Sequence, residues 1–230
     1  MTEAFAWQPL DMRCRASAPE VTPLVAAAAR VGVRDERVLR ALADVPRAGF
    51  VPREHAMDAD LDIPLPIPRG LVTTQPSLVA RMVEALALTG VERVLEVGAG
   101  HGYQTALLAR LAGEVWAVER WPDLAEGASG NLARQGVHNA EVVVGDGTLG
   151  LPAHAPYDGI VVAAAHTHVP PPLAEQLAPG GRLVQPVGMG GHEKVTLFVH
   201  TPRGLQRRGR VAAARFVRLY GHHGFAEEGT

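Results

Sequence analysis

The chain has 230 residues, of which 47% are hydrophobic and 20% are charged, and its formal net charge is −2. This size and balance fit one globular α/β domain with an appendage. The small net charge argues against a nucleic-acid partner or an anionic membrane surface, and no apolar run reaches the roughly 20 residues that a bilayer span requires. Because Cys14 is the one cysteine, no internal disulfide can form, and we expect a cytoplasmic protein.

The sequence of the N-terminal third predicts two helices followed by a long loop. Residues 1–23 show no periodicity and are expected to be loosely ordered. Residues 24–30 form a helical candidate, and a second helix starts at the capping residue Asp35 and ends before Pro46. Residues 53–76 contain closely spaced prolines separated by apolar residues, which predicts an irregular loop packed on the core.

From Ser77 onward, helical and strand patterns alternate, which predicts a mostly parallel, doubly wound α/β sheet of the Rossmann-like type. Helices are predicted at residues 77–88, 103–111, 123–135 and 172–177, and strands at 93–97, 114–118, 141–144, 159–163, 182–187, 195–200 and 210–217. The last two strands are expected to form a closing antiparallel pair. We therefore divide the chain into an N-terminal helical segment with its loop (1–76) and a sheet domain (77–230), expected to form one compact unit.

A glycine-rich turn follows the first strand of this sheet. The strand carries Glu96, and Gly98, Gly100 and Gly102 precede the next helix. Such a turn brings backbone N–H groups, at the positive end of a helix, close to a ligand. Glu119 ends the next strand about 20 residues later, where a carboxylate can bind both hydroxyls of a ribose. The spacing differs from the dinucleotide fingerprint GxGxxG and indicates another nucleotide-like ligand.

Acidic and small residues also follow the later strands. Asp146 lies between Gly145 and Gly147 after the third strand, where its carboxylate can accept a hydrogen bond from an adenine amino group. An ordinary Gly-Asp-Gly turn is the alternative. Asp158 opens the next strand and is interpreted as a structural partner rather than a catalytic acid. The alanines that follow that strand, beginning at Ala163, leave room for a ligand.

The end of the long loop carries two hydroxyls and an amide, at Thr73, Thr74 and Gln75. These groups can bind an anionic part of a substrate. Alternatively, Thr74 or Ser77 merely caps the helix that follows. On the local sequence alone, the helix cap is the favoured interpretation.

The spacing of His166 and His168 raises the question of a metal site. A pair of histidines needs at least one more ligand, and no recognised spacing connects this pair to the other histidines. We therefore expect no metal and interpret the pair as a polar rim of the active-site mouth. The adjacent His222 and His223 are interpreted as part of an exposed tail.

From about Val38 to its end, the chain resembles the protein-L-isoaspartate O-methyltransferases, a family of class I S-adenosylmethionine-dependent enzymes. The resemblance rests on the glycine-rich turn and on more specific segments: Val45-Pro46-Arg47, Phe50-Val51-Pro52, Pro64-Leu65-Pro66-Ile67, Thr74-Gln75-Pro76, Ala155-Pro156-Tyr157-Asp158, Leu177-Ala178-Pro179-Gly180-Gly181 and Arg215-Phe216-Val217. It implies a methyltransferase fold, S-adenosylmethionine as the methyl donor, S-adenosylhomocysteine as the product, and isoaspartyl-containing proteins or peptides as substrates.

The resemblance also implies a role for each matching residue. Thr74 is the implied catalytic residue, and it would bind the substrate carboxylate together with Gln75 and Val217. The implied cofactor-binding residues are Val72, Thr73, Glu96, Gly98, Gly100, Gly102, Glu119, Arg120, Asp146 and Gly147. The function predicted in this way is repair of damaged proteins by methylation of the isoaspartyl carboxylate. We expect a monomer with no nucleic-acid or membrane partner.

The chain departs from the family pattern at a few positions. Thr74 stands where family members usually have a serine, and the residues at His101, His166 and Arg218 also differ from the usual ones. These differences leave two alternatives open. One is a related carboxyl methyltransferase that acts on an ordinary aspartate of a dedicated peptide, and the other is a donor-binding module without turnover.

Overall fold

The computed structural model describes residues 21–189 and 191–226. Most of the segment expected to be loosely ordered, including Cys14, lies outside the described residues. In chain order the elements are α1 (Pro23–Arg30), α2 (Glu36–Asp44), β1 (Pro66–Ile67), β2 (Leu71–Val72), α3 (Pro76–Leu86), β3 (Arg93–Val97), α4 (Tyr103–Ala109), β4 (Glu114–Glu119), α5 (Pro122–Arg134), β5 (Ala140–Val144), β6 (Tyr157–Val162), α6 (Pro171–Glu175), β7 (Leu177–Val187), β8 (Glu193–Thr201) and β9 (Gly204–Ala214).

Seven strands form the main sheet, in the order β5-β4-β3-β6-β7-β8-β9. Strands β3 to β7 are parallel, whereas β7, β8 and β9 pair antiparallel. The chain runs outward from β3 to β5 and then returns to the other side of β3 with β6. Open α/β sheets bind ligands in the crevice beyond the carboxyl ends of the strands where the order reverses. The predicted doubly wound sheet with a closing antiparallel pair is confirmed.

The strands at the centre of the sheet bury side chains on both faces, as strands covered by helices must. Neighbouring residues of each strand belong to opposite core clusters: Val94 and Leu95 in β3, Val161 and Ile160 in β6, Val184 and Leu183 in β7. One cluster also contains apolar residues of α1 to α4, and the other contains Leu173 of α6. The N-terminal helices therefore share a core with the sheet, although the division of the chain at residue 76 stays a prediction.

Helix α3 positions the two N-terminal helices. The Glu84 carboxylate of α3 accepts hydrogen bonds from the backbone N–H groups of Arg34 and Asp35, at 2.6 and 2.7 Å. Asp35 caps α2, as predicted, and accepts a bond from the Arg37 N–H at 2.9 Å. These bonds fix the turn between α1 and α2 against α3, directly before the chain enters the long loop.

Most element boundaries differ from the predicted ones by one or two residues, and the larger differences are at β7, at β9 and in the long loop. β7 begins at Leu177 rather than 182, because Leu177 pairs with Tyr157 across a bulge, and Gly180, with a φ of 81°, carries the strand through the predicted turn. β9 spans Gly204–Ala214 rather than 210–217, and the chain leaves the sheet after Ala214. The loop over residues 53–76 contains the short β1–β2 hairpin, in which Pro66 pairs with Val72.

No helix in the described ranges combines the length and apolar character that crossing a bilayer would require.

Replacing Glu84 with alanine should lower the free energy of unfolding by about 2 kcal/mol, because hydrogen bonds to a charged acceptor contribute about 1.5–3 kcal/mol each and this site is partly exposed. Urea unfolding followed by circular dichroism measures the change. Glu175→Ala removes a carboxylate from an exposed position of α6 and serves as the matched control. Equal effects of the two substitutions would contradict the proposed role of Glu84.

Candidate active site

A cleft of about 350 Å³ opens beyond the carboxyl ends of β3, β4 and β6. Its floor is the glycine-rich turn after β3, and the β1–β2 hairpin covers one side. The segment after β9 and the residues that follow β4 close the remaining walls. Because this is the crevice at which the strand order reverses, the fold itself places a ligand site here.

The glycine-rich turn forms the base of the cleft. Gly98 donates its N–H to the Val118 carbonyl at 2.8 Å, which continues the pairing of β3 and β4 into the turn. Gly98 and Gly100 have φ angles of 92° and 56°, in the left-handed region where glycine is favoured. The Gly100 N–H donates to Glu119 Oε2 at 3.0 Å, and the Trp121 N–H donates to Glu119 Oε1 at 3.1 Å. Two backbone donors thus hold the Glu119 carboxylate at the edge of the cleft.

Gly102 has a different position from the other two glycines. It is the residue before α4, with a φ of 90°, and a Cβ added there would contact Ala128 and Leu132 of α5 at 3.4 Å. Gly102 therefore permits close packing of α4 and α5, and it does not line the cleft.

Glu96 lies beneath the turn and is fully buried. Its carboxylate accepts hydrogen bonds from Gln104 Nε2 at 2.9 Å and Thr105 Oγ1 at 2.5 Å. Burial raises the pKa of Glu96 to about 7, although both hydrogen bonds act to lower it. A carboxyl group with this pKa changes its charge near neutral pH, directly under the floor of the cleft.

The buried guanidinium of Arg47 organises the loop on one side of the cleft. Arg47 is 2% exposed and donates hydrogen bonds to the carbonyls of Ala59, Leu61 and Ile63 at 3.2, 2.8 and 2.8 Å. It also donates to Thr73 Oγ1 at 2.9 Å. Burial lowers the pKa of Arg47, but an arginine remains charged in proteins. One cation therefore joins two parts of the long loop.

The two adjacent threonines have different environments. The Thr73 hydroxyl accepts hydrogen bonds from Arg47 and from the Leu65 N–H at 3.0 Å, so it stabilises the loop. Thr74 is half-buried and lines the cleft, and within the described residues its hydroxyl forms no hydrogen bond. The side chain of Asp62 caps α3 instead, accepting the Ser77 N–H at 2.8 Å. The helix-cap interpretation of Thr74 and Ser77 is therefore wrong.

Asp62 also forms a hydrogen bond with Gln75, one of the residues predicted to bind the substrate. Gln75 Nε2 donates to Asp62 Oδ2 at 2.8 Å, and Gln75 lies outside the cleft lining. The described structure gives Gln75 a role in fixing the start of α3, and its contact with substrate stays a prediction.

The segment after β9 forms the opposite wall. The Val217 carbonyl accepts the Ala165 N–H at 2.8 Å, and the Leu219 N–H donates to the Ala165 carbonyl at 2.7 Å. Glu193 holds the preceding residue, because its Oε2 accepts the Phe216 N–H at 2.9 Å. These bonds explain why β9 ends early: the chain turns from β8 toward the end of β6 and presents Val217, 44% exposed, to the cleft.

Asp146 lies behind the cleft wall, next to the C-terminal turn. Its Oδ1 accepts the Thr148 N–H and hydroxyl at 2.9 and 2.7 Å, and its Oδ2 accepts the His222 N–H at 2.7 Å. Burial acts to raise the pKa of Asp146, but the hydrogen bonds from His222 and Thr148 keep it below its usual value. His223 also donates its N–H to Thr148 at 3.0 Å, so the interpretation of residues 222–223 as an exposed tail is wrong for the backbone.

Aromatic and guanidinium groups stack along one edge of the cleft. Arg69 of the hairpin turn lies 4.1 Å from the Trp121 ring centroid, and Arg120 lies 4.7 Å from the same ring and 5.4 Å from Tyr220. Arg69 also forms an ion pair with Asp123 at 2.8 Å. This stack connects the hairpin, the end of β4 and the C-terminal segment.

Comparison with known proteins places this architecture in a family. The family profile described as Protein-L-isoaspartate(D-aspartate) O-methyltransferase (PCMT) matches residues 20–224. The chain belongs to the protein-L-isoaspartate O-methyltransferase family. A relative of that name from Anaeromyxobacter dehalogenans (strain 2CP-C) is 51% identical over 191 residues, covering 82% of this chain and 91% of the relative. Another, from Aeropyrum pernix, is 50% identical over 200 residues, covering 85% of this chain and 77% of the relative.

Solved structures of the family share the fold. A protein-L-isoaspartate O-methyltransferase structure that is 30% identical superposes with a TM-score of 0.77, covering 87% of this chain and 66% of that chain. A Plasmodium falciparum protein described under the same enzyme name has a TM-score of 0.72 at 22% identity, covering 86% of this chain and 96% of the other.

Most residues that the family resemblance implies do meet in the cleft. The lining contains Val72, Thr73, Thr74, Glu96, Gly98, Gly100, Glu119, Arg120, Gly147 and Val217, whereas Gln75, Gly102 and Asp146 lie behind it. The sequence pattern assigns no role to Arg47, Asp62 or Trp121. Arg47 lies in a family segment, Val45-Pro46-Arg47, but no local pattern distinguishes a buried arginine from an exposed one.

Two histidines stand at positions that differ from the family pattern, and only one of them lines the cleft. His101 lines the cleft, and burial lowers the pKa of its ring. His166 is buried and lies outside the cleft lining, with its Nδ1 3.1 Å from the His168 carbonyl. The interpretation of His166 and His168 as a rim of this mouth is therefore wrong. Within residues 21–189 and 191–226, no three potential metal ligands of the His, Cys, Asp or Glu type cluster together.

The pKa of Glu96 predicts a pH-dependent contribution to stability. The folded pKa of about 7 lies above the ordinary value of 4.5, so the folded state binds the proton more tightly. The contribution is fully present below about pH 4.5 and is lost as pH rises through 7. Between these limits the unfolding free energy of the wild type should fall by about 3 kcal/mol relative to Glu96→Gln.

Urea unfolding at a series of pH values, without ligand, measures this difference. Glu54→Gln removes a carboxylate from an exposed position and is the matched control. Parallel curves for the wild type and Glu96→Gln would show that the buried carboxyl does not titrate as stated.

Proposed function

We propose that this protein transfers the methyl group of S-adenosylmethionine to the free carboxylate of L-isoaspartyl residues in proteins, as an early step of protein repair. Family membership supports the activity, because the relatives that match most of the chain carry this enzyme name. The observation that carries the assignment of the site is the position of Thr74, which lines the same cleft as the glycine-rich turn and Glu119 and whose hydroxyl has no hydrogen-bond partner among the described residues.

The residues of the cleft fit the methyl donor. The donor consists of an adenosine, a positively charged sulfur and an amino-acid end. Glu119, held by Gly100 and Trp121, offers carboxylate oxygens for the ribose hydroxyls. The turn at Gly98 and Gly100 allows close backbone approach to the amino-acid end. The Plasmodium falciparum protein was solved with S-adenosyl-L-homocysteine, which is the donor after loss of its methyl group.

Three further groups complete the proposed donor site. Asp146 lies behind the cleft wall, with its oxygens bonded to Thr148 and His222, and its predicted contact with the adenine amino group would use the acceptor sites that those bonds leave. Gly147 borders the cleft beside it, where a Cβ would collide with Val97. Glu96 lies beneath the turn, and a cationic donor bound above it would favour the ionised form of its carboxyl group.

Methyl transfer to a carboxylate requires little acid–base catalysis by the protein. The donor supplies an electrophilic methyl carbon. A substrate carboxylate, with an ordinary pKa of roughly 4, is already ionised at neutral pH and needs no general base. The protein has to align the carboxylate oxygen with the methyl carbon and exclude water.

We assign the alignment to Thr74 and the segment at Val217. The Thr74 hydroxyl would donate a hydrogen bond to the substrate carboxylate and fix the direction in which its other oxygen points. The half-exposed Val217 would contact the substrate backbone from the opposite wall. Val72, at the end of β2, and Thr73, which follows it, would cover the donor, and Thr73 is itself fixed by Arg47. The cytoplasmic location and the monomeric state remain predictions.

A pair of peptides that differ only in an isoaspartyl or an aspartyl linkage tests the function. We expect base-labile methyl esters on the isoaspartyl peptide, measured with labelled donor. Thr74→Val keeps the side-chain shape but removes the hydroxyl, and it should lower kcat/KM about 10- to 100-fold. Thr74→Ser should retain activity, and donor-product affinity should be unchanged in both variants.

The same measurements distinguish the alternatives. Ester formation on the aspartyl peptide alone would favour an enzyme for an ordinary aspartate. Binding of the donor product without any ester would favour a module without turnover. Full activity of Thr74→Val would contradict the role of Thr74 while leaving the reaction itself in place.

A further inference from the structure

A second cavity, of about 600 Å³, lies beside the active-site cleft. It is formed by one face of β7, β8 and β9 and by the loop that follows β6. This volume is within the range of ligand-binding sites, and the proposed methyl transfer gives it no role.

Positive charge is concentrated in this cavity. Lys194 of β8 and Arg207 of β9 both line it, and no aspartate or glutamate does. Within the described ranges, neither cation has an ion pair or a hydrogen bond from its side chain. His168 and His192 add ring nitrogens to the same lining. Because the whole chain has a net charge of −2, this local excess favours an acidic partner.

The rest of the lining is largely apolar. Phe198, half-buried on β8, is paired with Arg207, while Val187 is paired with Lys194 and Leu205 lies further along β9. A ligand that matches this surface carries negative charges at separated points and has an apolar part beside them.

Strand register gives the spacing of the charges. Lys194 pairs with Val187 at the carboxyl end of β7, whereas Phe198 pairs with Arg207 four residues further along β8. At about 3.4 Å per residue, the two cations lie roughly 13 Å apart along the strand direction. An extended polypeptide covers this distance in about four residues.

The cavity begins next to the active site. Ala165 is bonded to Val217, which lines the cleft, and the adjacent His166 forms a bridge with Val187, which lines the cavity. At about 4.8 Å per strand spacing, the backbones of Val217 and Val187 lie roughly 10 Å apart on the two sides of this segment. A few residues of extended chain can therefore connect them.

We propose that this cavity binds an acidic segment of the protein substrate, a few residues away from the isoaspartyl residue in the active site. The segment has two acidic side chains about four positions apart, which meet Lys194 and Arg207, and an apolar side chain next to the second of them that packs on Phe198 beside Arg207. The proposal rests on the proposed function, and it makes the cavity a determinant of substrate preference.

Steady-state methylation of matched isoaspartyl peptides tests the proposal. One peptide set carries a pair of glutamates four positions apart. The pair lies before the isoaspartyl residue in one peptide and after it in the other, and the reference set has glutamine at the same positions. For the wild type, the better acidic peptide should have a KM about fivefold lower than its reference, with little change in kcat. Lys194→Gln combined with Arg207→Gln should remove this difference and leave the methylation of the glutamine peptides unchanged.

Arg203→Gln combined with Arg208→Gln removes the same charge from the same hairpin, at exposed positions outside the cavity, and is the control. It should keep the preference. A preference that is absent in the wild type, or equal in all three proteins, would overturn the proposal. So would equal binding of a small amphipathic anion such as octanoate in competition with the acidic peptide, because it would show a site for small molecules.

Direct binding separates this proposal from the proposed function. Fluorescence anisotropy of a labelled acidic peptide without isoaspartate needs no methyl transfer. Binding that is lost in the cavity variant and kept in the control supports the cavity, even if no isoaspartyl peptide is methylated. Absence of methylation on every peptide would contradict the proposed function alone, whereas absence of peptide binding would contradict the cavity proposal.

Discussion

The active site depends on the buried guanidinium of Arg47. An arginine side chain buried to 2% exposure needs acceptors for its N–H groups, and here three carbonyls of the loop and the Thr73 hydroxyl accept from its two terminal nitrogens, whereas Nε has no partner among the described residues. The carbonyls at Leu61 and Ile63 flank Asp62, which caps α3. One cation thus determines the shape of the loop, the start of α3 and the position of Thr73, which directly precedes Thr74.

This arrangement explains how neighbouring residues of the same type acquire different roles. Thr73 is bonded to Arg47 and Leu65, and it fixes the loop. Thr74 follows directly, and because Asp62 already satisfies the Ser77 N–H, its hydroxyl is not needed as a helix cap. The hydroxyl therefore remains in the cleft, where a substrate carboxylate can accept its hydrogen bond.

The sequence predicted those features that depend on local order along the chain. The glycine spacing, Glu119 at the end of β4 and the alternation of helices and strands all follow from periodicity and turn chemistry. The cap of α3 was not predictable in this way, because Asp62 lies 15 positions before the N–H that it accepts. The same holds for Asp146, whose second oxygen binds His222, 76 positions further along the chain. Such contacts are set by tertiary packing, which a single sequence does not reveal.

The central claim is that the hydrogen bonds of Arg47 hold the long loop, residues 53–76, in place beside the cleft. Amide hydrogen exchange of Arg47→Lys tests this claim most directly. A lysine keeps the charge but cannot reach four acceptors at once. We predict faster exchange at the Leu65 and Thr73 amides, together with at least a roughly tenfold loss of isoaspartyl methylation, since each hydrogen bond to a charged group contributes about 1.5–3 kcal/mol. Arg53→Lys, at an exposed position, should change neither. Unchanged exchange and full activity in Arg47→Lys would contradict the account.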